Sequence, residues 1–332
     1  MKTEICEICG SENFWQYDYP LDIKPFVSRV RRSVIRRYFV NFAKFIFRIF
    51  IRILPGIFSN DFKKRAFDSY KKIQSFKEAE GSLVGIKRGM KLFEEVKIFI
   101  CKNCETGIVF PRIPEEKLMD HYKKDYWLSA GGEIEPAENR RTMATYELLS
   151  KYISFRELDE VLEFGSASAQ LSRYFKSKNP DIIFDSVDPG LAWRDVLSGQ
   201  LRMIYTDLKV IKTPYSLIMS SHALEHVPNL EEYFEKFISL LKVGGYLYFE
   251  VPNSEERDLI FGSNPDFHFP HTYFFTQKSF NQIAKKFGLE VVFNKTFSRS
   301  YSQIFSKTNK DVSSAEENPQ GAYLRILLRR SK

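Results

Sequence analysis

Four cysteines and five histidines hold most of the acid, base and metal-binding capacity of this 332-residue chain. Every cysteine falls in one of two Cys-x-x-Cys pairs, Cys6 with Cys9 and Cys101 with Cys104. Such pairs present two thiolates from one turn, and two of them supply the four soft ligands of a tetrahedral structural zinc site. With no cysteine left over, and no apolar leader core in the opening MKTEICEICG, the expectation is a reducing, cytoplasmic setting rather than a secreted disulfide framework. Four histidines group as His222 with His226 and His268 with His271. Imidazole titrates near neutrality, so these are the natural groups to take a proton. Glu163, Gly165 and, 23 positions after the glycine, Asp188 have the spacing of a turn beside a nucleotide-type cofactor and an acid for its ribose hydroxyls.

The elements that must position these groups follow from periodicity. VLEFGSASAQL reads as strand, tight turn and helix, and FDSVDPG ends a second strand at Asp188. The apolar run Tyr215 to Met219, the helical LEEYFEKFISLL and the strand GGYLYFEV continue the alternation. Alternating β and α segments imply an α/β fold, a parallel sheet with helices on both faces, and place HALEH at a strand's carboxyl end, where ligands bind. ENRRTMATYELLSKYI reads as a helix before the first strand, Thr276 as a helix cap, and GLEVVFNKTF and AYLRILLRR as two further strands flanking a polar stretch. There is no internal repeat.

LEFGSASA, SVDPG, HALEHVPN and LKVGGYLYFEVPN, in this order, resemble the successive motifs of class I methyltransferases that depend on S-adenosylmethionine; the resemblance runs from about residue 140 to the end. It implies a Rossmann-like seven-stranded sheet closed by an antiparallel hairpin. It also implies that Glu163 holds the methionyl ammonium, that Gly165, Ser166, Ala167 and Ala169 line the methionyl portion, and that Asp188, followed by Pro189, grips the ribose. Asp207 would lie near the adenine, and Ser220, Ser221 and His222 on the cofactor's far side. His271, in the acceptor-side segment FHFPHTYFFTQKSF, is expected to act as the base; His226 would act with it or fix its turn by a hydrogen bond. The family's acidic-x-G-x-G-x-G motif here has alanine at 167 and 169. A methyl group at positive φ costs roughly 1 to 2 kcal/mol, and Ala169 is expected instead at the helix start, where alanine fits the backbone. Ser216 replaces the aspartate usual at the start of the fourth strand.

ICKNCETGIVFPRIPEEKLMDHYKKDYW resembles the ribbon-to-linker passage of methyltransferases with an N-terminal zinc-binding segment, except that Glu105 and Thr106 stand between the last cysteine and Gly107. Between the cysteine pairs lie 91 residues, of which 21–80 carry 15 Lys+Arg against 5 Asp+Glu, a local charge of +10 in a chain of net +8. Loop closure grows only logarithmically with length, so such an insertion is compatible with one site. Arg36, Lys44, Arg48 and Arg52 step in fours among Phe, Ile and Val, which predicts an amphipathic helix ended by Pro55 and Gly56. That pattern suits a membrane surface contact through residues 26–58, with a protein interface or nucleic acid as the alternatives. The expected organisation is a zinc ribbon from 1–20 and 95–127, a helical insertion at 21–94 and a methyltransferase domain at 128–332. The expected acceptor is a sugar, a lipid-linked glycan precursor or another small metabolite. Nucleic-acid methylation is the enzymatic rival, weakened because every cysteine is committed to a pair and SSHALEHVPN replaces the Asn/Asp-Pro-Pro-aromatic motif of exocyclic-nitrogen enzymes. A non-catalytic binding protein is the reading that Ala167 and Ala169 leave open.

Overall fold

The structure, a computed structural model, describes residues 5–18, 88–126, 136–190, 193–255, 270–297, 317–318, 321 and 323–331. The predicted basic helix and His268 lie outside them. Among the described residues no helix is long and apolar enough to cross a membrane.

Two sheets form the frame. The larger has seven strands: β4 (Glu160–Phe164), β5 (Ile183–Val187), β6 (Met203–Tyr205), β7 (Tyr215–Ser221), β8 (Leu241–Pro252), β10 (Glu290–Phe297) and β11 (Tyr323–Arg329), in the order β10-β11-β8-β7-β4-β5-β6. β6, β5, β4, β7 and β8 pair in parallel, and β11 pairs antiparallel with both β8 and β10. This is the Rossmann-like arrangement expected from the motif order. The chain steps outward from β4 to β5 on one side and returns to β7 on the other, so a crevice opens beyond the carboxyl ends of β4 and β7.

Strand side chains alternate between faces, and the core divides accordingly. Leu162, Ile218, Leu247 and Phe249 point toward one buried cluster. There they meet Phe234 and Phe237 of the helix Leu230–Leu240 and Phe280 of the helix Gln277–Phe287. Val161, Leu217, Met219 and Tyr248 point the other way, onto Leu148 and Leu149 of the helix Arg140–Leu149 and Tyr174 and Phe175 of the helix Gln170–Lys178. Local signals set the helix starts. Thr276, the predicted cap, forms a capping box with Ser279, Asn139 forms another with Thr142, and Asn229 caps the helix that follows it. Ser216 ties the start of β7 to β4 in place of the usual aspartate, since its Oγ accepts from the N–H groups of Asp159 and Glu160 and donates to the Glu160 carbonyl at 2.8 Å.

The smaller sheet runs β1 (Phe14–Asp18), β2 (Lys97–Cys101), β3 (Gly107–Phe110) and β9 (Tyr273–Phe274), all antiparallel. Its last strand follows β8 in sequence, so the segment after His271 adds a strand to the sheet that carries the cysteine pairs. Ile98, Ile100, Val109, Leu118 and Phe274 share one buried cluster across that junction.

The parallel sheet also contains a buried ion cluster invisible in the motifs. Glu250 on β8, 1% exposed, accepts from Arg325 Nε and Arg141 Nε, each at 2.6 Å, and from Ser221 Oγ at 3.0 Å. Burial alone would raise its carboxyl, but the two guanidinium groups override this and hold it at about 2, against an ordinary 4.5. A depressed folded pKa adds stability above pH ~4.5 that disappears as pH falls toward 2, here about 3 kcal/mol by linkage. Denaturant titrations should show Glu250→Gln well below wild type in unfolding free energy at pH 6, with the gap closing toward pH 2. A gap independent of pH would refute this assignment.

Candidate functional site

The ribbon's two knuckles have the same backbone. Gly10 N–H donates to the Cys6 carbonyl at 2.8 Å and Glu105 N–H to the Cys101 carbonyl at 2.9 Å, with Gly10 at φ 72° and Glu105 at φ 61°. The residue after each pair is therefore left-handed, and Glu105 holds the position where related ribbons have glycine. The knuckles bring Cys6 Sγ to 3.5 Å from Cys104 Sγ and Cys9 Sγ to 3.5 Å from Cys101 Sγ, with all four sulfurs within 4.8 Å of one another. These are not bonded pairs. A tetrahedron with ~2.3 Å metal–sulfur bonds has edges of ~3.8 Å, so the donor set fits zinc. The Cys6–Cys104 hydrogen bond raises the Cys6 thiol, with burial adding to it, and lowers the Cys104 thiol.

At the end of β4 the chain turns sharply. A Cβ on Gly165, at φ 66°, would stand 2.0 Å from Ala223 Cβ, so only glycine lets these segments meet. Ala167 and Ala169 follow at φ 46° and 51°. For Ala169 this corrects the sequence-based expectation: the residue precedes its helix in left-handed geometry (ψ 46°), so its methyl group is strained. Two carboxylates compensate. Asp188 Oδ2 accepts from Ala167 N–H at 2.9 Å, and Glu163 Oε2 accepts from Ser172 N–H at 2.8 Å, in the first turn of the helix Gln170–Lys178. Burial pushes Glu163 up to about 7, with the Ser172 hydrogen bonds opposing.

These turns wall a cavity of about 230 Å³. Gly165, Ala167, Asp188, Pro189 and Asp207 stand along it, together with Ser221, His222 and His226. Asp188 Oδ1 also accepts from Gly190 N–H at 2.8 Å, so backbone N–H groups on both sides fix this carboxylate at the cavity wall. Ser166 and Ser220 hydroxyls are buried without hydrogen-bond partners among the described residues. Glu163, Ser166, Ala169 and Ser220 stand behind the wall rather than on it. For Glu163 the reason is its engagement with Ser172.

His226 lines the cavity and His271 does not; His271 is 7% exposed, its ring 4.8 Å from that of His226 and edge-on to it. His226 Nδ1 lies 3.3 Å from the Pro270 carbonyl, which can only accept; Nδ1 therefore carries the proton, and Nε2 faces Glu225 Oε1 at 3.9 Å. His222, at φ 54°, lies between two carboxylates, with Nδ1 3.3 Å from Glu225 and Nε2 3.5 Å from Glu250. Sequence reasoning missed Glu225, Glu250, Arg141 and Arg325. A glutamate beside His226 in HALEH was a visible signal for the first; the others meet across 75 or more positions and had none.

Residues 135–293 match the family model of a methyltransferase domain. That stretch is thus a methyltransferase domain, and the chain is an S-adenosylmethionine-dependent methyltransferase. Among solved structures it is similar to an S-adenosylmethionine-dependent methyltransferase from Clostridium acetobutylicum ATCC 824 (12% identity, 59% of this chain and 93% of that one, TM-score 0.43). It is also similar to the plantazolicin methyltransferase BamL in complex with a triazolic desmethylPZN analog and SAH (16%, 58% and 86%, TM-score 0.44). A possible histamine N-methyltransferase from Thermotoga maritima gives 17% identity, 58% and 91% coverage and TM-score 0.44. No curated protein matches the sequence.

The strain at the glycine turn is measurable. Ala169→Gly should raise the unfolding free energy by about 1 kcal/mol, the left-handed penalty relieved less the added chain entropy. A destabilised variant in urea titrations would show that the alanine methyl contributes more through packing than it costs in strain.

Proposed function

We propose that this enzyme transfers the methyl group of S-adenosylmethionine to a hydroxyl of a sugar, glycan precursor or other small metabolite. The observation that carries the proposal is the shared cavity: Asp188 and Asp207, suited to ribose and adenine, border the same space as His226. In the transfer the S–CH3 bond breaks as the O–CH3 bond forms, the sulfonium leaves as a neutral thioether, and the hydroxyl proton needs a base. The pair His226 and His271 supplies it, with His226 at the wall and His271 against its ring. Glu115, Asp188 and Asp207 on the cavity wall, against Lys123, do not suit a polyanion, which weighs against nucleic acid. The alanines of the glycine turn occupy the left-handed backbone and keep Asp188 in place, which weighs against a degenerate pocket. Residues 26–58 would bring the enzyme to an anionic membrane surface, making a lipid-linked acceptor accessible.

Labelled S-adenosylmethionine should pass its label to a fraction of a membrane lipid extract or of a soluble nucleotide-sugar pool, and not to bulk RNA. His271→Ala and His226→Ala should each reduce turnover about 100-fold or more, with cofactor affinity retained. Labelling of RNA alone would favour the rival, and undiminished turnover in both variants would remove the histidines from the chemistry.

We also propose that Cys6, Cys9, Cys101 and Cys104 hold one structural zinc ion. Natively purified protein should contain one zinc per chain bound by thiolates, and Cys104→Ser should lose it and melt at lower temperature. Protein without zinc, yet equally stable, would refute the site.

A further inference from the structure

Glu225 is the least compensated charge-bearing group of the site. It is 1% exposed, and neither carboxylate oxygen accepts a hydrogen bond among the described residues. Glu250, a few ångströms across His222, shows what this protein does with a purely structural buried carboxylate: it surrounds it with two arginines and a serine. Glu225 receives imidazoles instead. One ligand atom each from Glu225, His226 and His271 lies within 4.8 Å of the others, and the cluster is buried.

The hydrogen-bond polarity is the telling feature. With the His226 proton on Nδ1 and directed at the Pro270 carbonyl, His226 Nε2 and Glu225 Oε1 face each other at 3.9 Å as two acceptors. Two acceptors confronted there are satisfied by a positive charge between them, either a second proton on His226 or a cation. A ring nitrogen engaged with a backbone carbonyl while its partner nitrogen faces a carboxylate is also the outer-sphere pattern of metal-binding histidines, because it fixes the tautomer that offers a lone pair.

We infer that Glu225, His226 and His271 form a site for a divalent transition cation, separate from the cysteine cluster. Two imidazoles and one carboxylate suit cations of the Mn²⁺ to Zn²⁺ series and leave coordination positions for outside ligands. His226 lines the cavity, so those positions would be reached from the acceptor's side. The cation would polarise an oxygen acceptor and ease loss of its proton. The inference rests on the methyltransferase reading and alters one assignment in it: with the cation bound, both histidines are ligands, and their role as base belongs to the cation-free enzyme.

The test uses full-length protein loaded with one zinc per chain, so that the thiolates are occupied and no free zinc remains, titrated with Co²⁺ and followed by absorption and equilibrium dialysis. One further Co²⁺ per chain should bind, giving visible d–d bands without thiolate charge-transfer absorption. Glu225→Gln, nearly isosteric, and His271→Ala should each weaken that binding at least tenfold, with unchanged far-ultraviolet circular dichroism. If one variant fails to fold, His226→Gln serves in its place. Absence of further Co²⁺ binding, or equal binding in folded variants, overturns the inference. S-adenosylhomocysteine titrations of the same samples separate the two readings: cofactor binding without a further Co²⁺ sinks the cation site alone, whereas a further Co²⁺ without cofactor binding sinks the methyltransferase pocket.

Discussion

The pairing of β3 with β9 is the constraint on which the site depends. Gly107 faces Phe274 and Ile108 faces Tyr273, with Val109 N–H donating to the Thr272 carbonyl at 3.1 Å. A Cβ on Gly107 would stand 2.8 Å from Phe274 Cβ, so the glycine is needed for the strands to close. Through this contact the cysteine ribbon grips the segment that begins at His271. Thr272 in turn donates its Oγ to the Glu225 and Val227 carbonyls. Tyr273 hydroxyl donates to Glu7, between Cys6 and Cys9, at 2.6 Å and accepts from Leu230 N–H at 2.8 Å. Arg112 closes the group by pairing with Glu7 and lying over the Tyr273 ring. The sheet carrying the cysteine pairs is thus part of the scaffold of the proposed site, and loosening its knuckles would be felt at His271.

On the cofactor side the organising principle is strain held by hydrogen bonds. Ala167, Ala169 and His222 all occupy left-handed backbone, at roughly 1 to 2 kcal/mol each, within a few residues of the Gly165–Ala223 approach. Such conformations persist where the surroundings over-determine them. Here Asp188 and Glu163 bind the turn's N–H groups, and Ala169 is wholly buried. The same strained backbone lets Asp188 face the cavity and directs His222 between two carboxylates.

The sequence made the sheet legible because motif order and period-2 burial are local properties: strand, Gly165 turn, Asp188 and the β7–β8 phrases fall where expected. The cap at Thr276 was legible for the same reason. What escaped was non-local or conformational. Nothing near Tyr273 says that it will complete a sheet begun 259 positions earlier at Phe14. An alanine at 169 reads as a good helix former, and only the backbone shows that it stands before the helix in left-handed geometry. The basic helix of the insertion remains a reading of its residues alone.

Glu250 and Glu225 are both about 1% exposed and both touch His222, yet their surroundings differ in kind. Arg141 and Arg325 neutralise Glu250 permanently, since guanidinium groups do not lose their protons in a protein. That makes Glu250 a fixed anchor joining the helix Arg140–Leu149 to β8 and β11 beside Ser221. Among the described residues Glu225 meets only imidazoles, whose charge and ligation can change. Two arginines on one buried carboxylate, and among the described residues none on its neighbour, leave the second open to the positive charge that the inferred cation would bring. That asymmetry separates the structural half of the acid cluster from its chemical half.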